Sequence, residues 1–178
     1  MRTAFALVGL LFLASQARAD AAIHGLQVGM DSNRVLASFV LTDAFDGRLA
    51  RRIDSGLPTS IVYEAELHKD RKRWYDNRID RTTLEVVAVH DAVARTYSVH
   101  FKLDGELVES RTVRDREALE AAMTRIERMP VFTLGEDTPE GRLIVKVRAH
   151  LGSRNILSFI PVAIHTDWKD SNKFRYIR

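Results

Sequence analysis

The chain has 178 residues, with 27 Lys and Arg, 24 Asp and Glu, and no Cys. The lack of cysteine excludes disulfides, thiol catalysis and Cys-ligated zinc or iron–sulfur centres. The nearly balanced charge is not typical of nucleic-acid binding, and the length fits one domain with its own core.

The N-terminus has the three parts of a secretory signal peptide in the expected order. Arg2 supplies a positive charge, residues 4–14 form a short apolar core, and Ala17-Arg18-Ala19 is an A-x-A cleavage signal. The pattern predicts a signal peptide over residues 1–19 and a periplasmic mature domain over residues 20–178. No later segment is apolar enough to cross a membrane, so we expect no transmembrane segment after cleavage.

Two strands are predicted first. Residues 23–30 alternate loosely and contain two glycines, which favours an edge strand. Residues 34–42 carry apolar side chains on both faces, since Leu36 and Val40 lie opposite the main apolar face. This second strand is therefore expected to be buried on both sides.

An amphipathic helix follows, with Thr42 or Asp43 as its predicted N-cap. Apolar residues recur every four positions on one stripe: Phe45, Leu49 and Ile53. Gly56 suits the left-handed residue after a helix, and Pro58 prevents continuation, so the helix should end there.

Residues 59–67 show the cleanest alternation of the chain. Four side chains share the expected core face: Ile61, Tyr63, Ala65 and Leu67. Glu64, Glu66 and His68 fall on the opposite face, which predicts an antiparallel sheet with one dry and one solvated face.

The remaining chain alternates turns with further strands and one more helix. Residues 69–81 are dense in charge and predict a long hairpin connection or a strand extension, and Asp104-Gly105 predicts a two-residue turn. A second helix is predicted over residues 115–129, with Pro130 marking its exit. The further predicted strands are 84–89, 97–103, 106–113, 142–151 and, less regularly, 156–164.

Seven or eight short strands with two helices predict a mainly β, α+β fold. We expect an antiparallel immunoglobulin-like β-sandwich with the two helices inserted in connections. The alternative is a single curved sheet with both helices packed on one face.

Two groups of residues could carry a function. Glu64, Glu66 and His68 at alternate positions could ligate a divalent metal with His100 or His150, against the simpler alternative of a solvated sheet face. A basic surface with aromatic side chains would form if the first helix and the charged connection lie close. Its members are Arg48, Arg51, Arg52, Lys69, Arg71, Lys72, Arg73, Trp74, Tyr75 and Arg78. Interleaved aspartates favour the alternative of a solvated, salt-bridged surface.

The run GRLARRIDSGLPTSIVYEAEL over residues 47–67 also resembles a known family. An Arg-rich turn with Trp74-x-Asp76, the run VAVHDAVARTYSV over residues 87–99 and a late Trp168 follow in the same order. This order is similar to DUF4390, a family of exported proteobacterial proteins of uncharacterised function. The resemblance implies an envelope location and no established activity. The C-terminal residues SNKFRYIR differ from the Trp-containing ending that the family would lead us to expect.

No G-x-S-x-G, H-E-x-x-H or P-loop motif is present, so the sequence predicts no enzyme and no cofactor. The leading hypothesis is a non-enzymatic periplasmic binding module that faces an unknown envelope protein or anionic surface. Its predicted partner-facing residues are Arg48, Arg51, Arg52, Arg73 and Trp74. The alternatives are a metal-dependent protein or enzyme using Glu64, Glu66 and His68, and a ligand-binding accessory of a membrane sensor kinase.

Overall fold

The computed structural model describes residues 20–70, 77–156 and 160–177, and within residues 153–163 it describes the backbone alone. The predicted signal peptide, Arg73 and Trp74 therefore lie outside the described residues. The strands are β1 Ala22–Asp31, β2 Arg34–Thr42, β3 Thr59–Lys69, β4 Asn77–Asp91, β5 Thr96–Leu103, β6 Glu106–Val113, β7 Arg125–Thr133, β8 Gly141–Ile156, β9 Ile160–His165, β10 Lys169–Asp170 and β11 Phe174–Tyr176. The helices are α1 Gly47–Asp54 and α2 Arg116–Thr124.

The strands form two antiparallel sheets. The smaller has the order β1-β2-β7, and the larger has the order β10-β8-β3-β4-β5-β6, with β9 and β11 also paired to β8. The prediction of an antiparallel sandwich-like α+β fold is confirmed, and the alternative of a single curved sheet is wrong. The first strand lies at an edge of the smaller sheet, as its irregular pattern predicted.

Both helices lie where the chain passes from one sheet to the other. The first, α1, joins β2 to β3, and α2 joins β6 to β7. Each helix adds buried side chains to the core that the two sheets share. The prediction that the helices are inserted in connections is confirmed.

Tyr63 of β3 connects three elements in the centre of this core. Its ring meets Phe39 of β2 edge to face, with the centroids 5.0 Å apart. Its hydroxyl donates to the carbonyl oxygen of Met123 at 2.8 Å, in the last turn of α2. Helix ends leave such carbonyls without an intrahelical partner, so Tyr63 satisfies a group that would otherwise be buried unpaired.

The first helix begins later than predicted. Its N-cap is Asp46 rather than Thr42 or Asp43, and one Asp46 oxygen accepts from the backbone N–H groups of Arg48 and Leu49 at 3.0 and 2.9 Å. The Leu49 N–H is the main cause that lowers the pKa of Asp46. Gly56, with φ of +79°, ends the helix as predicted.

The second predicted helix, residues 115–129, is wrong over its last five residues. The helix α2 ends at Thr124, and the chain turns directly into β7, which pairs with β2. Ile126 fits both patterns, because it extends the apolar stripe of α2 and also points into the core from a strand. Pro130 is tolerated within β7 because this strand is at an edge and a register shift lies beside Pro130.

The charged stretch 69–81 is partly strand. The strand β3 continues to Lys69 and β4 starts at Asn77, so the hairpin arms are longer than the predicted runs 59–67 and 84–89. The turn at Asp104-Gly105 is confirmed, with φ of +47° and +90°. In the part of the chain that the structure describes, no helix has the length and apolar character needed to cross a membrane.

Removing the Tyr63 hydroxyl should weaken the fold measurably. We expect Tyr63→Phe to lower the free energy of unfolding by about 1–2 kcal/mol, because the Met123 carbonyl is left buried without a partner. Chemical denaturation measures the loss. The control is Tyr176→Phe, whose hydroxyl contacts the Gly135 carbonyl at 3.3 Å in an exposed position. A loss for Tyr63→Phe no larger than for Tyr176→Phe would contradict the role of this hydrogen bond.

Candidate functional site

Glu64, Glu66 and His68 lie on the outer face of β3, as the alternation predicted, but that face is not solvated there. Their exposed fractions are only 6%, 9% and 8%. The strand β3 lies between β4 and β8, so long side chains from both neighbours reach across it. The predicted solvated face is therefore wrong at these positions.

Glu64 is held from both sides. Arg148 of β8 donates from Nε at 2.8 Å and lies 2.7 Å away through Nη2, both to Glu64 Oε2. His150 Nε2 lies 3.0 Å from the same oxygen, and Arg81 Nη2 of β4 contacts Glu64 Oε1. The carboxylate is thus bound by two guanidinium groups and an imidazole.

Glu66 forms the second half of this charge network. His68 Nε2 lies 2.8 Å from Glu66 Oε2, and Arg78 Nη1 donates to Oε1 at 2.9 Å. Because an ionised carboxylate only accepts, His68 Nε2 carries the proton of that hydrogen bond. The other ring nitrogen, Nδ1, is buried and has no hydrogen-bond partner in the described parts of the chain.

The pKa values of both carboxyl groups reflect two opposing effects. Burial raises the pKa of Glu64, but the hydrogen bonds from His150 and Arg148 and the charges of Arg148 and Arg81 outweigh it. Burial likewise raises the pKa of Glu66, and His68 and Arg78 outweigh it. The pKa of each group therefore lies below its ordinary value of 4.5, and both stay ionised at neutral pH.

The C-terminal segment covers one side of the network. The Arg148 guanidinium lies over the Trp168 ring, 4.5 Å from its centroid, in a cation–π contact. The His150 and His165 rings meet at an angle, with centroids 6.0 Å apart. The late Trp168 thus orders the arginine that binds Glu64.

This geometry fits structural ion pairing better than metal binding. Each carboxylate already accepts from arginine, and the described residues contain no group of three or more His, Asp or Glu placed to hold a metal ion. Of the two suggested extra ligands, His150 reaches Glu64, whereas His100 lies on β5 and contacts Ser110 Oγ at 2.9 Å. Sequence reasoning did not include Arg81 and Arg148 in this site, although strand alternation and cross-strand pairing could have indicated them.

The arginines of α1 lie elsewhere. Arg48, Arg51 and Arg52 are exposed on α1, at the end of the larger sheet where β3 begins. Lys69 and Arg78 lie at the other end of β3, about 33 Å away at the usual rise per residue. The structure does not bring the helix arginines together with Lys69 and Arg78, so they do not form one basic surface.

Asp54 fixes α1 to the neighbouring elements. It accepts from the hydroxyl of Tyr97 at 2.9 Å and pairs with Arg116, and its carbonyl oxygen lies 3.2 Å from His90 Nδ1. Burial raises the pKa of the Tyr97 hydroxyl, and the hydrogen bond to Asp54 raises it further. The hydroxyl therefore keeps its proton and donates to Asp54. The helix is thereby held against the β4–β5 hairpin and the start of α2.

The fold and the site define a class: an antiparallel β-sandwich domain with an ion-paired outer face and an arginine-bearing helix at one end. The family model described as "Domain of unknown function (DUF4390)" matches residues 18–169. The chain therefore belongs to the DUF4390 family, which confirms the resemblance found in its sequence. No curated protein and no solved structure matches the chain.

Neutralising Glu64 should destabilise the protein in a pH-dependent way. Because the pKa of Glu64 is lowered on folding, its ionised form stabilises the protein above about pH 4.5, and this contribution is lost as pH falls through the folded-state pKa. We expect Glu64→Gln to cost about 1–3 kcal/mol of unfolding free energy at pH 7 and less at pH 4. Denaturation curves at both pH values measure it.

The control for that experiment is Glu85→Gln. Glu85 lies in β4, half-exposed and 3.9 Å from Lys102, and such surface pairs contribute about 0–1 kcal/mol. Equal, pH-independent losses in the two variants would show that the Glu64 network contributes no more than a surface ion pair.

Zinc should leave the fold unchanged. Since arginines occupy both carboxylates, we expect Zn²⁺ to produce no rise in melting temperature and no calorimetric heat of binding. A true site saturated at 100 times its Kd would add about 2.7 kcal/mol of stability. A rise in melting temperature that disappears in His68→Ala would instead establish the metal alternative at Glu64, Glu66 and His68.

Proposed function

We propose that this chain is an exported, non-enzymatic binding module of the cell envelope that contacts an anionic partner through α1. The helix surface formed by Arg48, Arg51 and Arg52 is called the α1 basic surface. One observation carries the proposal: the guanidinium groups of Arg51 and Arg52 are exposed and make no hydrogen bond or ion pair within the described ranges. They are therefore available to an anionic partner.

Three acidic residues near the α1 basic surface are engaged in local structure. Asp46 caps α1 and pairs with Arg48 at 3.3 Å, and Asp54 pairs with Arg116. Asp91 accepts from two backbone N–H groups of the β4–β5 hairpin, at 2.9 Å each. These carboxylates hold the fold together rather than neutralise Arg51 and Arg52, which leaves positive charge facing outward.

Exposed apolar side chains lie at the same end of the molecule. Leu57, just after α1, is 55% exposed, and Val93, at the tip of the β4–β5 hairpin, is 96% exposed. Apolar residues beside exposed arginines are typical of surfaces that bind a partner, because the apolar groups gain from burial and the arginines supply specificity. This combination supports a binding role for the end that α1 occupies.

The charge network on β3 supports a structural role for the remaining candidate residues. A general acid or base needs a pKa near the working pH, whereas Glu64 and Glu66 have lowered pKa values and bind arginine. This favours a binding module over an enzyme that uses Glu64, Glu66 and His68.

Export is supported by the sequence alone, through the predicted signal peptide over residues 1–19. The family model begins at residue 18, next to the predicted cleavage point. Arg73 and Trp74, outside the described residues, remain predicted partner-facing residues.

Removing the two unpaired charges should weaken binding to an anionic surface. We expect wild-type protein to sediment with phosphatidylglycerol vesicles at low salt and not with phosphatidylcholine vesicles. Arg51→Gln/Arg52→Gln should weaken this binding about 30-fold, because each arginine near an anionic membrane contributes about 1 kcal/mol. Sedimentation across a lipid titration measures the change.

The matched control is Arg128→Gln/Arg175→Gln, which removes two charges from exposed arginines of β7 and β11. It should bind vesicles like the wild type. If the wild type does not bind vesicles, the anionic partner to test is an acidic protein from envelope extract. The α1 variant should fail to capture this protein, and the control variant should capture it like the wild type. Equal behaviour of both variants towards every target would refute the role of the α1 basic surface.

A further inference from the structure

Two of the sheet edges are protected among the described residues. At β1, the Asn172 side chain accepts from the Val28 N–H at 2.7 Å and donates to the Val28 carbonyl at 3.1 Å, as a neighbouring strand would. The edge strand β7 is interrupted by Pro130 and two register shifts. Beyond β8, the larger sheet ends in the short strands β9, β10 and β11. Such devices prevent an edge from pairing with another chain.

The edge strand β6 has one register shift, at Val108, and is open from Glu109 to Val113. Within the described parts of the chain, this strand pairs only with β5, and all eight of its residues are exposed or half-exposed. Leu107 and Val108 are 60% and 47% exposed. From Glu109 to Val113 its register with β5 is regular, so the outer backbone groups are presented as an unbroken strand edge.

A second copy of the same strand can pair with this edge only in certain registers. Two identical antiparallel edge strands are related by a two-fold axis perpendicular to the sheet. Directly opposite residues of an antiparallel pair point to the same face of the sheet, and the two-fold axis keeps each residue on its own face. The axis must therefore lie between two copies of the same residue, and not between two residues that are neighbours in the sequence. This limits the choice to axes at individual positions along β6.

Charge favours one of the three neighbouring positions 109–111. An axis at Glu109 would place two glutamates opposite each other, and an axis at Arg111 would place two arginines opposite each other. Like charges at directly opposite positions are destabilising. An axis at Ser110 instead places Glu109 opposite Arg111 of the second copy, in both directions.

The register shift leaves Val108 outside the regular pairing with β5. The self-complementary part of the strand is therefore Glu109, Ser110 and Arg111.

We propose that β6 is a homodimerisation edge, in which two copies of this chain pair antiparallel through β6 about an axis at Ser110. The large sheets of the two copies become one continuous sheet. Glu109 and Arg111 already form an ion pair within the strand, at 2.5 and 3.1 Å, and the Arg111 guanidinium lies 4.5 Å from the centroid of the Phe101 ring. Dimerisation extends this ordered pair into an alternating ring of four charges, and the edge is distinct from the α1 basic surface.

A charge swap tests the register. In sedimentation velocity over a range of concentrations, the wild-type protein should change from monomer to a species of twice its mass. Arg111→Glu should weaken this dimer about tenfold or more, because Glu109 then faces glutamate twice. Glu109→Arg/Arg111→Glu should restore dimerisation, because opposite charges face each other again. Melting curves verify that each variant is folded.

Single cysteines test the axis directly, because the chain contains no Cys of its own. Two Ser110 residues on the axis have Cα atoms about 4.5–5.5 Å apart, within reach of a disulfide. Two Thr112 residues lie four positions apart along the strands, at about 13 Å, which is too far. Under mild oxidation, Ser110→Cys should form a covalent dimer and Thr112→Cys should not.

The outcomes separate the proposal from its alternatives. Dimerisation that the swap restores, with cross-linking at position 110 alone, establishes the β6 edge and its register. A protein that stays monomeric at all concentrations overturns the proposal. So does a dimer that Arg111→Glu leaves intact, or equal cross-linking of Ser110→Cys and Thr112→Cys.

Discussion

The structure depends on the constraint that β3 buries both of its faces. Its inner face supplies Tyr63 and other apolar side chains to the core, while its outer face carries Glu64 and Glu66. A buried carboxylate is tolerated only when it is paired and hydrogen-bonded, so the strands on either side of β3 must present cations at the matching positions. Glu66 lies directly opposite Arg81, and Glu64 directly opposite Arg148. A register slip of one residue would separate both pairs and expose the core face.

The same constraint explains how the larger sheet is completed. Arg148 is ordered by Trp168, and the segment after Trp168 then covers β8 with β10 and reaches β1 through Asn172. The C-terminal segment thus connects the charge network of one sheet to the edge of the other. Buried ion pairs add less to stability than apolar packing of equal volume, but they penalise every alternative register. We interpret the network as a device for a unique strand arrangement, which leaves the functional surfaces at the helix α1 and at the strand edges.

Much of the fold could be predicted from periodicity, and the failures have specific causes. Strand alternation identified the correct faces of β2, β3, β5 and β8, and the turn residues Asp104 and Gly105 marked a real hairpin. The strand β7 was missed because Ile126 satisfies a helical stripe and a strand pattern equally well. The burial of Glu64 was missed because alternation tells which face a residue occupies but not what covers that face. The distance between Arg51 and Arg78 could not be predicted either. The two residues lie at opposite ends of β3, and the sequence did not show how far this strand extends.

By itself, the sequence determined the antiparallel sandwich-like fold class, the positions of the two helices between strands and membership of the DUF4390 family, because these follow from local patterns along the chain. The tertiary structure decided which side chains meet. It turned Glu64, Glu66 and His68 from a solvated face into a buried charge network, and it separated the arginines of α1 from the residues beside the β3–β4 connection. It also left β6 as an open edge of the larger sheet. These outcomes depend on contacts between residues far apart in the chain, which short-range periodicity cannot encode.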